Sequence, residues 1–195
     1  MKQERQLHGF KYEKNIILKF NLIKSDNYTS IWDAYTLSGY PVSIKLEKRG
    51  SDIELGDFFR NINCHQDFYL VVGFWKNTKT NITEEKILFI PWKEWHSLFD
   101  DTFINPFKEL LNNISNLKED DDKWKKQISQ FRNDWKNKTK NLIRPRFKRD
   151  HKRQKRIQCA INNKDFYKYF LYNYEISEKE FACLAKPKAM GEKIN

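Results

Sequence analysis

Cysteine is scarce in this chain: Cys64, Cys159 and Cys183 are the only three among 195 residues. They are odd in number and far apart, and no pair has the spacing of zinc ligands. That argues against a disulfide framework and a zinc finger, and makes a reduced, cytoplasmic protein the expectation. Glycine is also rare, with six in all. Neither G-x-G-x-x-G nor G-x-x-x-x-G-K-S/T occurs, so a phosphate-cradling loop is not expected. There is no G-x-S-x-G elbow for a hydrolase serine. The histidines His8, His65, His96 and His151 have no paired spacing. Cys64 and His65 adjoin, but neighbours on an extended strand project to opposite sides, and no second ligand pair accompanies them. No run approaches the roughly 18 apolar residues of a membrane helix, so no membrane partner is expected. The opening MKQERQLHGFKYEKNI has no apolar stretch and no small-residue cleavage site, so a secretory signal is not expected either.

What the chain does have is aromatic mass and positive charge. Hydrophobic residues make up 39% and aromatics 15%, which suits a packed core rather than a disordered chain. One domain, or one domain with an appendage, is expected at this length, burying roughly 70% of the surface its unfolded chain exposes. Lys and Arg total 37 against 26 Asp and Glu, a formal charge of +11. Residues 123–156 hold 15 of those basic residues and only two acids, Asp134 and Asp150, so that stretch carries +13 and the remainder −2. A near-neutral core is thus joined to a basic arm. The arm favours a polyanion: DNA, RNA or an anionic surface.

The apolar periodicity sets the expected elements. FKYEKNIILKFNLIK reads as a helix with Phe10, Ile16, Ile17, Phe20 and Ile23 at helical spacing, broken at Ser25-Asp26-Asn27. TSIWDAYTLSGYPVSIKLEKRG reads as a hairpin turning at Ser38-Gly39. In its second strand Val42, Ile44 and Leu46 point one way, and Ser43, Lys45 and Glu47 the other. Asp52 is placed to cap a helix, IELGDFFRNI, that packs Ile53, Phe58, Phe59 and Ile62. Residues 67–75, DFYLVVGFW, suit a buried central strand, and 86–92, KILFIPW, a second one ended by Pro91. KEWHSLF and NPFKELLNNISNL then turn helical, and Glu119 to Asp122 form an acidic patch. Trp124, Ile128, Phe131 and Trp135 fit one face of a helix that stops at Arg144-Pro145-Arg146. A second helix is expected over roughly 150–162, with Ile157 and Ile161 at i,i+4. DFYKYFLYNYEI reads as buried, and KPKAMGEKIN as a frayed tail. The expected fold class is α/β: a mixed central sheet in residues 1–100, with a helical, basic region in 101–195 packed on it.

Asp33 and Lys45 are the residues best placed for chemistry, since a tight hairpin brings them side by side if they share a face. Carboxylates hold Mg²⁺ through oxygen, a bound metal lowers the pKa of its water, and a lysine orients that water or steadies the transition state. The plain alternative is a solvated cross-strand pair worth roughly 0.2–1 kcal/mol.

The order of elements over about residues 10–92, together with Trp32-Asp33 and Ser43-Ile44-Lys45, resembles the PD-(D/E)XK nuclease superfamily, which includes many type II restriction endonucleases. That superfamily has a helix–strand–strand–strand–helix–strand core, with an Asp on one strand and an acid-x-Lys on the next. Two departures stand out: Ser43 occupies the usual acid position, and Trp32 stands where proline is usual. Some branches move the missing acid to the following helix, a role that falls to Glu54; Glu47 is the rival and Asp52 the third choice. The resemblance implies one or two Mg²⁺ ions held by Asp33 with Glu54 or Glu47, and Lys45 serving the attacking water. It also implies a homodimer cutting double-stranded DNA.

The arm supplies the expected nucleic-acid contacts. Arg144, Arg146, Lys148, Arg149, Lys152, Arg153, Lys155 and Arg156 would neutralise phosphates. Gln154, Gln158 and Asn162, at i, i+4 and i+8, would share one helix face and read base edges. The plain alternative is a basic helix that only holds the backbone. A structure-specific repair or phage nuclease and a non-catalytic DNA- or RNA-binding protein are the alternative functions.

Overall fold

A computed structural model of the chain describes residues 2–25, 32–99, 101–115, 122–138, 142–149 and 155–186. In chain order the elements are α1 (Lys2–Lys19), β1 (Ile23–Lys24), β2 (Ala34–Tyr35), β3 (Pro41–Lys48), β4 (Ile53–Asp57), α2 (Phe58–Ile62), β5 (Phe68–Trp75), β6 (Ile82–Ile90), α3 (Trp92–Ser97), α4 (Asp101–Ser115), α5 (Asp122–Lys138), β7 (Ile143–Arg149), β8 (Lys155–Ile161), α6 (Asn163–Asp165), α7 (Tyr172–Tyr174), β9 (Glu175–Ile176) and α8 (Glu178–Leu184). A π-helical run, Phe166–Leu171, joins α6 to α7.

Two sheets result. The larger has the order β1-β2-β3-β5-β6-β9 and the smaller β4-β8-β7. Among the described residues only β3 and β5 run parallel, and β4 with α2 lies in the crossover between them. The protein is therefore α/β with a mixed sheet, as expected. The apolar run at β5 is buried along all but its last residue because both of its faces are covered. On one face Tyr69 and Val71 meet Val42, Ile44, Ile87 and the α1 residues Tyr12, Ile16 and Phe20. On the other, Leu70, Val72 and Phe74 meet Ile53, Ile157, Cys159 and Ile161 of the small sheet, together with Trp95, Phe107, Phe166 and Phe170. α1 lies so close to β5 that a Cβ on Gly73 would come 2.4 Å from the Tyr12 ring. The alternation expected in β3 holds, and the Ser38-Gly39 turn closes with Gly39 at φ 87°.

Several expectations are corrected. The buried stripe of α1 is Tyr12, Ile16 and Phe20, while Phe10 and Ile23 are half exposed, at 50% and 53%. IELGD is a strand rather than the first turns of a helix. Gly56 sits at φ 88° beside an irregularity in the β4–β8 register, and Asp57, not Asp52, caps the short helix that follows. Strand β6 starts at Ile82, ahead of the expected Lys86. The largest correction concerns the basic arm. In place of the second helix expected over roughly 150–162, the described residues there form β8, paired antiparallel with β7. The second half of the chain is thus not simply helical: it supplies two strands of the small sheet and the edge strand β9 of the large one. In α5, Ile128 is buried and Phe131 packs on Phe107 with ring centroids 4.8 Å apart, in line with the expected face. Residues 119–121 of the acidic patch, the side chains of Trp124 and Trp135, and the tail beyond residue 186 lie outside the described residues. Among the described residues no helix is long and apolar enough to cross a membrane.

Candidate active site

The candidate site forms where β2 and β3 part. Their ladder pairs Tyr35 with Pro41 and Ala34 with Val42, then stops. The Asp33 backbone is held on both sides: its N–H donates to the Val42 carbonyl at 3.0 Å, and its carbonyl accepts from Ser25 N–H at 3.2 Å. Two residues further along β3, the backbone partner is replaced by a side chain. Ile44 N–H donates to Asp33 Oδ2 at 2.6 Å. The same oxygen accepts from Lys45 Nζ at 3.1 Å and from Ser43 Oγ at 3.4 Å. Asp33 and Lys45 therefore share a face, and their side chains are only 27% and 20% exposed. All three bonds end on Oδ2, and among the described residues none donates to Oδ1.

A further acid lies beside this pair. The Glu13 carboxyl is held above its usual range, first by burial and then by the negative charge of Asp33, with Lys24 and Lys45 acting in the opposite direction. Lys24 Nζ lies 4.0 Å from Glu13 Oε1. Sequence reading missed Glu13, because a glutamate in a lysine-rich helix carries no mark of its own. The one signal was position: Glu13 follows Tyr12, which starts the buried stripe, and so lies at that stripe's border.

The other candidate acids are placed differently. Glu47 Oε1 accepts from the Glu54 backbone N–H at 3.0 Å, which ties β3 to the start of β4. Glu54 Oε1 is 3.8 Å from Arg146 Nε, so this carboxylate faces the basic strand as well. Asp52 bonds Arg146 and accepts from Asn162 Nδ2 at 3.2 Å and Asn163 N–H at 3.3 Å. It is a structural tie between the ends of β4 and β8. The fully buried Cys159 thiol has its pKa pushed up by burial, then by Asp57 and Glu54, while Lys45 pulls the other way.

No family model matches this chain, and no curated protein matches it. The site is accordingly read from its own residues. Among the described residues no group of three or more His, Cys, Asp or Glu is gathered closely enough to form a metal cage. Mg²⁺ does not require one, since it keeps several waters and is commonly held by one or two carboxylates plus substrate phosphates. Asp33, whose Oδ1 takes no donor among the described residues, and Glu13, repelled by a neighbouring carboxylate, are hard oxygen donors of that kind.

The candidate nucleic-acid residues are spread along a hairpin rather than a helix. Arg144 and Arg146 are exposed on β7; Arg144 lies 3.8 Å from Asp165. Lys148 is in register with Arg156, and Arg149 with Lys155. Gln158 stands opposite Arg146 and is half buried, and Asn162 caps α6 by accepting from Lys164 N–H. Of the expected helix face of Gln154, Gln158 and Asn162, Gln158 therefore lies on a strand and Asn162 at a cap. Lys152, Arg153 and Gln154 lie outside the described residues. The histidines are less scattered in space than in sequence: the His65 and His96 rings are 5.9 Å apart beside Trp92.

Proposed function

We propose that the protein is a Mg²⁺-dependent endonuclease that hydrolyses phosphodiester bonds of double-stranded DNA, in the manner of a type II restriction endonuclease. The observation that carries this reading is the Asp33–Lys45 pair at the splayed β2–β3 edge, with Glu13 beside it. Two carboxylates held close in partial burial repel each other, and a cation relieves that repulsion. Asp33 and Glu13 would hold the ion, with waters and substrate phosphate oxygens completing its shell. When bound, Mg²⁺ would supply a more acidic water and charge neutralisation at the phosphate oxygens. Lys45, oriented by Asp33 Oδ2, would hold the attacking water or the developing negative charge on the phosphoryl group. Asp33 also fixes the β3 backbone through Ile44 N–H, so the lysine and the acid are set by one rigid turn of chain. The basic residues of β7 and β8 match the charge of the substrate. A homodimer would cut both strands of a two-fold site.

The same contacts favour one other reading. A carboxylate that substitutes for a missing backbone acceptor has a sufficient structural role, which suits a non-catalytic nucleic-acid-binding protein. Incubation of the purified chain with phage DNA and Mg²⁺ separates the two. Discrete or smeared Mg²⁺-dependent products are expected, lost in Lys45→Ala while duplex binding and the melting temperature are kept. Intact DNA with every divalent ion tried, or products equally abundant with Lys45→Ala, would leave the binding reading.

A further inference from the structure

The small sheet does not end where its third strand ends. Strand β4 covers β8 from Ile161 to Gln158, whereas β7 continues alongside β8 to the pair Arg149–Lys155. Beyond Gln158, then, the pairs Phe147–Ile157, Lys148–Arg156 and Arg149–Lys155 have no third strand among the described residues. Ile157 is buried in the core and still belongs to the root, so at about 3.4 Å per residue the two outer pairs project as a two-stranded ribbon roughly 7 Å long.

We infer that this ribbon enters the major groove of double-stranded DNA; the inference rests on the DNA reading proposed above. Three features support it. The first is size: the major groove of B-form DNA is about 12 Å wide and about 8.5 Å deep, and it admits a two-stranded ribbon, whereas the minor groove is half as wide. The second is composition. Lys148, Arg149, Lys155 and Arg156 fill both outermost pairs of the ribbon, and arginine and lysine make the commonest specific contact there, to guanine O6 and N7. The third is anchorage. Ile143 and Ile161, paired at the root, are fully buried, and Arg146 is tied to Asp52 and lies near Glu54. The root is thus fixed to β4, which Glu47 ties to the strand that carries Lys45, so a base held by the outer pairs has a set distance from Lys45. Duplex RNA does not fit, because its major groove is too deep and narrow for side chains to read.

The test uses the full chain and one mixed-sequence duplex in three forms: ordinary DNA, DNA whose cytosines carry glucosylated hydroxymethyl groups that fill the major groove, and the RNA duplex. The glucosylated and RNA forms are expected to bind at least about tenfold more weakly than ordinary DNA, the value of one good base contact. Netropsin, which fills the minor groove, should leave binding unchanged. Lys148→Ala with Arg156→Ala should erase the preference for the open groove and reduce the salt slope by about 0.9 for each phosphate no longer neutralised. If the double variant does not fold, as judged by circular dichroism, each single change should give part of the same loss. Equal affinity for the three duplexes, displacement by netropsin, or variants that bind like the parent would overturn the ribbon. These outcomes differ from failure of the nuclease reading. Open-groove preference without Mg²⁺-dependent cleavage sustains the ribbon and removes the nuclease; cleavage with no groove preference does the reverse.

Discussion

The two sheets are built on different terms. The large sheet owes its order to apolar runs: β5 is buried on both faces and holds β3 and β6 in place by contact with α1 on one side and the aromatic cluster on the other. The small sheet has one apolar face, made by Ile53, Ile143, Ile157, Cys159 and Ile161, and its β7 strand is studded with arginine. Its polar ties are ionic, chiefly Arg146 to Asp52 and Glu54. The large sheet is thus covered by apolar residues on both faces, whereas the small sheet gives one face to the shared core and its outer residues to charge. The Asp33–Lys45 pair belongs to the first sheet, and Glu47 beside it accepts from Glu54 N–H at the start of the second.

The strongest way to break this contrast is at the centre of the large sheet. Phe74 is fully buried and packs on Phe166 and Tyr167 at ring-centroid distances of 5.8 and 5.9 Å. Phe74→Ala should cost about 3–5 kcal/mol, from forfeited transfer energy and the cavity left behind. Urea unfolding would show it as a lower midpoint with an unchanged slope; a cost no greater than that of a surface change would refute the division of labour.

A smaller effect is expected at the charged tie. The Arg146 side chain is 45% exposed, so the solvent screens its pairs, and Arg146→Ala should cost no more than about 1 kcal/mol. The consequence should be local: faster amide exchange in β4 and β7, with β5 unchanged. Equal acceleration in both sheets would show that the small sheet is part of the framework.

The smallest effect concerns Glu13, and its sign follows from linkage. The folded state holds its proton more tightly than the unfolded chain does. Its contribution to stability is therefore complete below the ordinary carboxylate range and is lost as pH rises through the raised value. Glu13→Gln should raise the melting temperature at neutral pH and leave it nearly unchanged in acid. Mg²⁺ should narrow the gap in the parent protein. A variant less stable than the parent at neutral pH would mean that the pairing with Lys24 outweighs the repulsion from Asp33.

Legibility in the sequence divides along the same line. The strands of the large sheet stood out because burial on two faces leaves an apolar run, and the face shared by Ser43, Lys45 and Glu47 was readable from simple alternation. The β7–β8 hairpin was misread for a definite reason. Ile157 and Ile161 are four apart, which satisfies both a helical period and an alternating one, and Cys159 between them was the residue that should have decided for the strand. Gln154 and Gln158 share the same ambiguity. At β4, Asp52 resembles a helix cap because a helical pattern follows it, while Gly56, whose left-handed backbone suits a bulge, is the residue that marks the strand. Glu13 was invisible because its role depends on where α1 crosses the sheet, and that crossing depends on the fit of Tyr12 over Gly73.

The pairing of Gly56 with Cys159 spans 103 positions. During synthesis β4 leaves the ribosome long before β8 exists, and at about 5–20 residues per second it waits several seconds or more without a partner. The parallel pair β3–β5, whose crossover contains β4, becomes available once β5 emerges, well before β8. For that time β4 is an unpaired edge, the kind of segment that recruits other chains. Its short length, the kink at Gly56 and the charges of Glu54 and Asp57 discourage such pairing. The residues that shape β4 in the mature fold also guard the nascent chain.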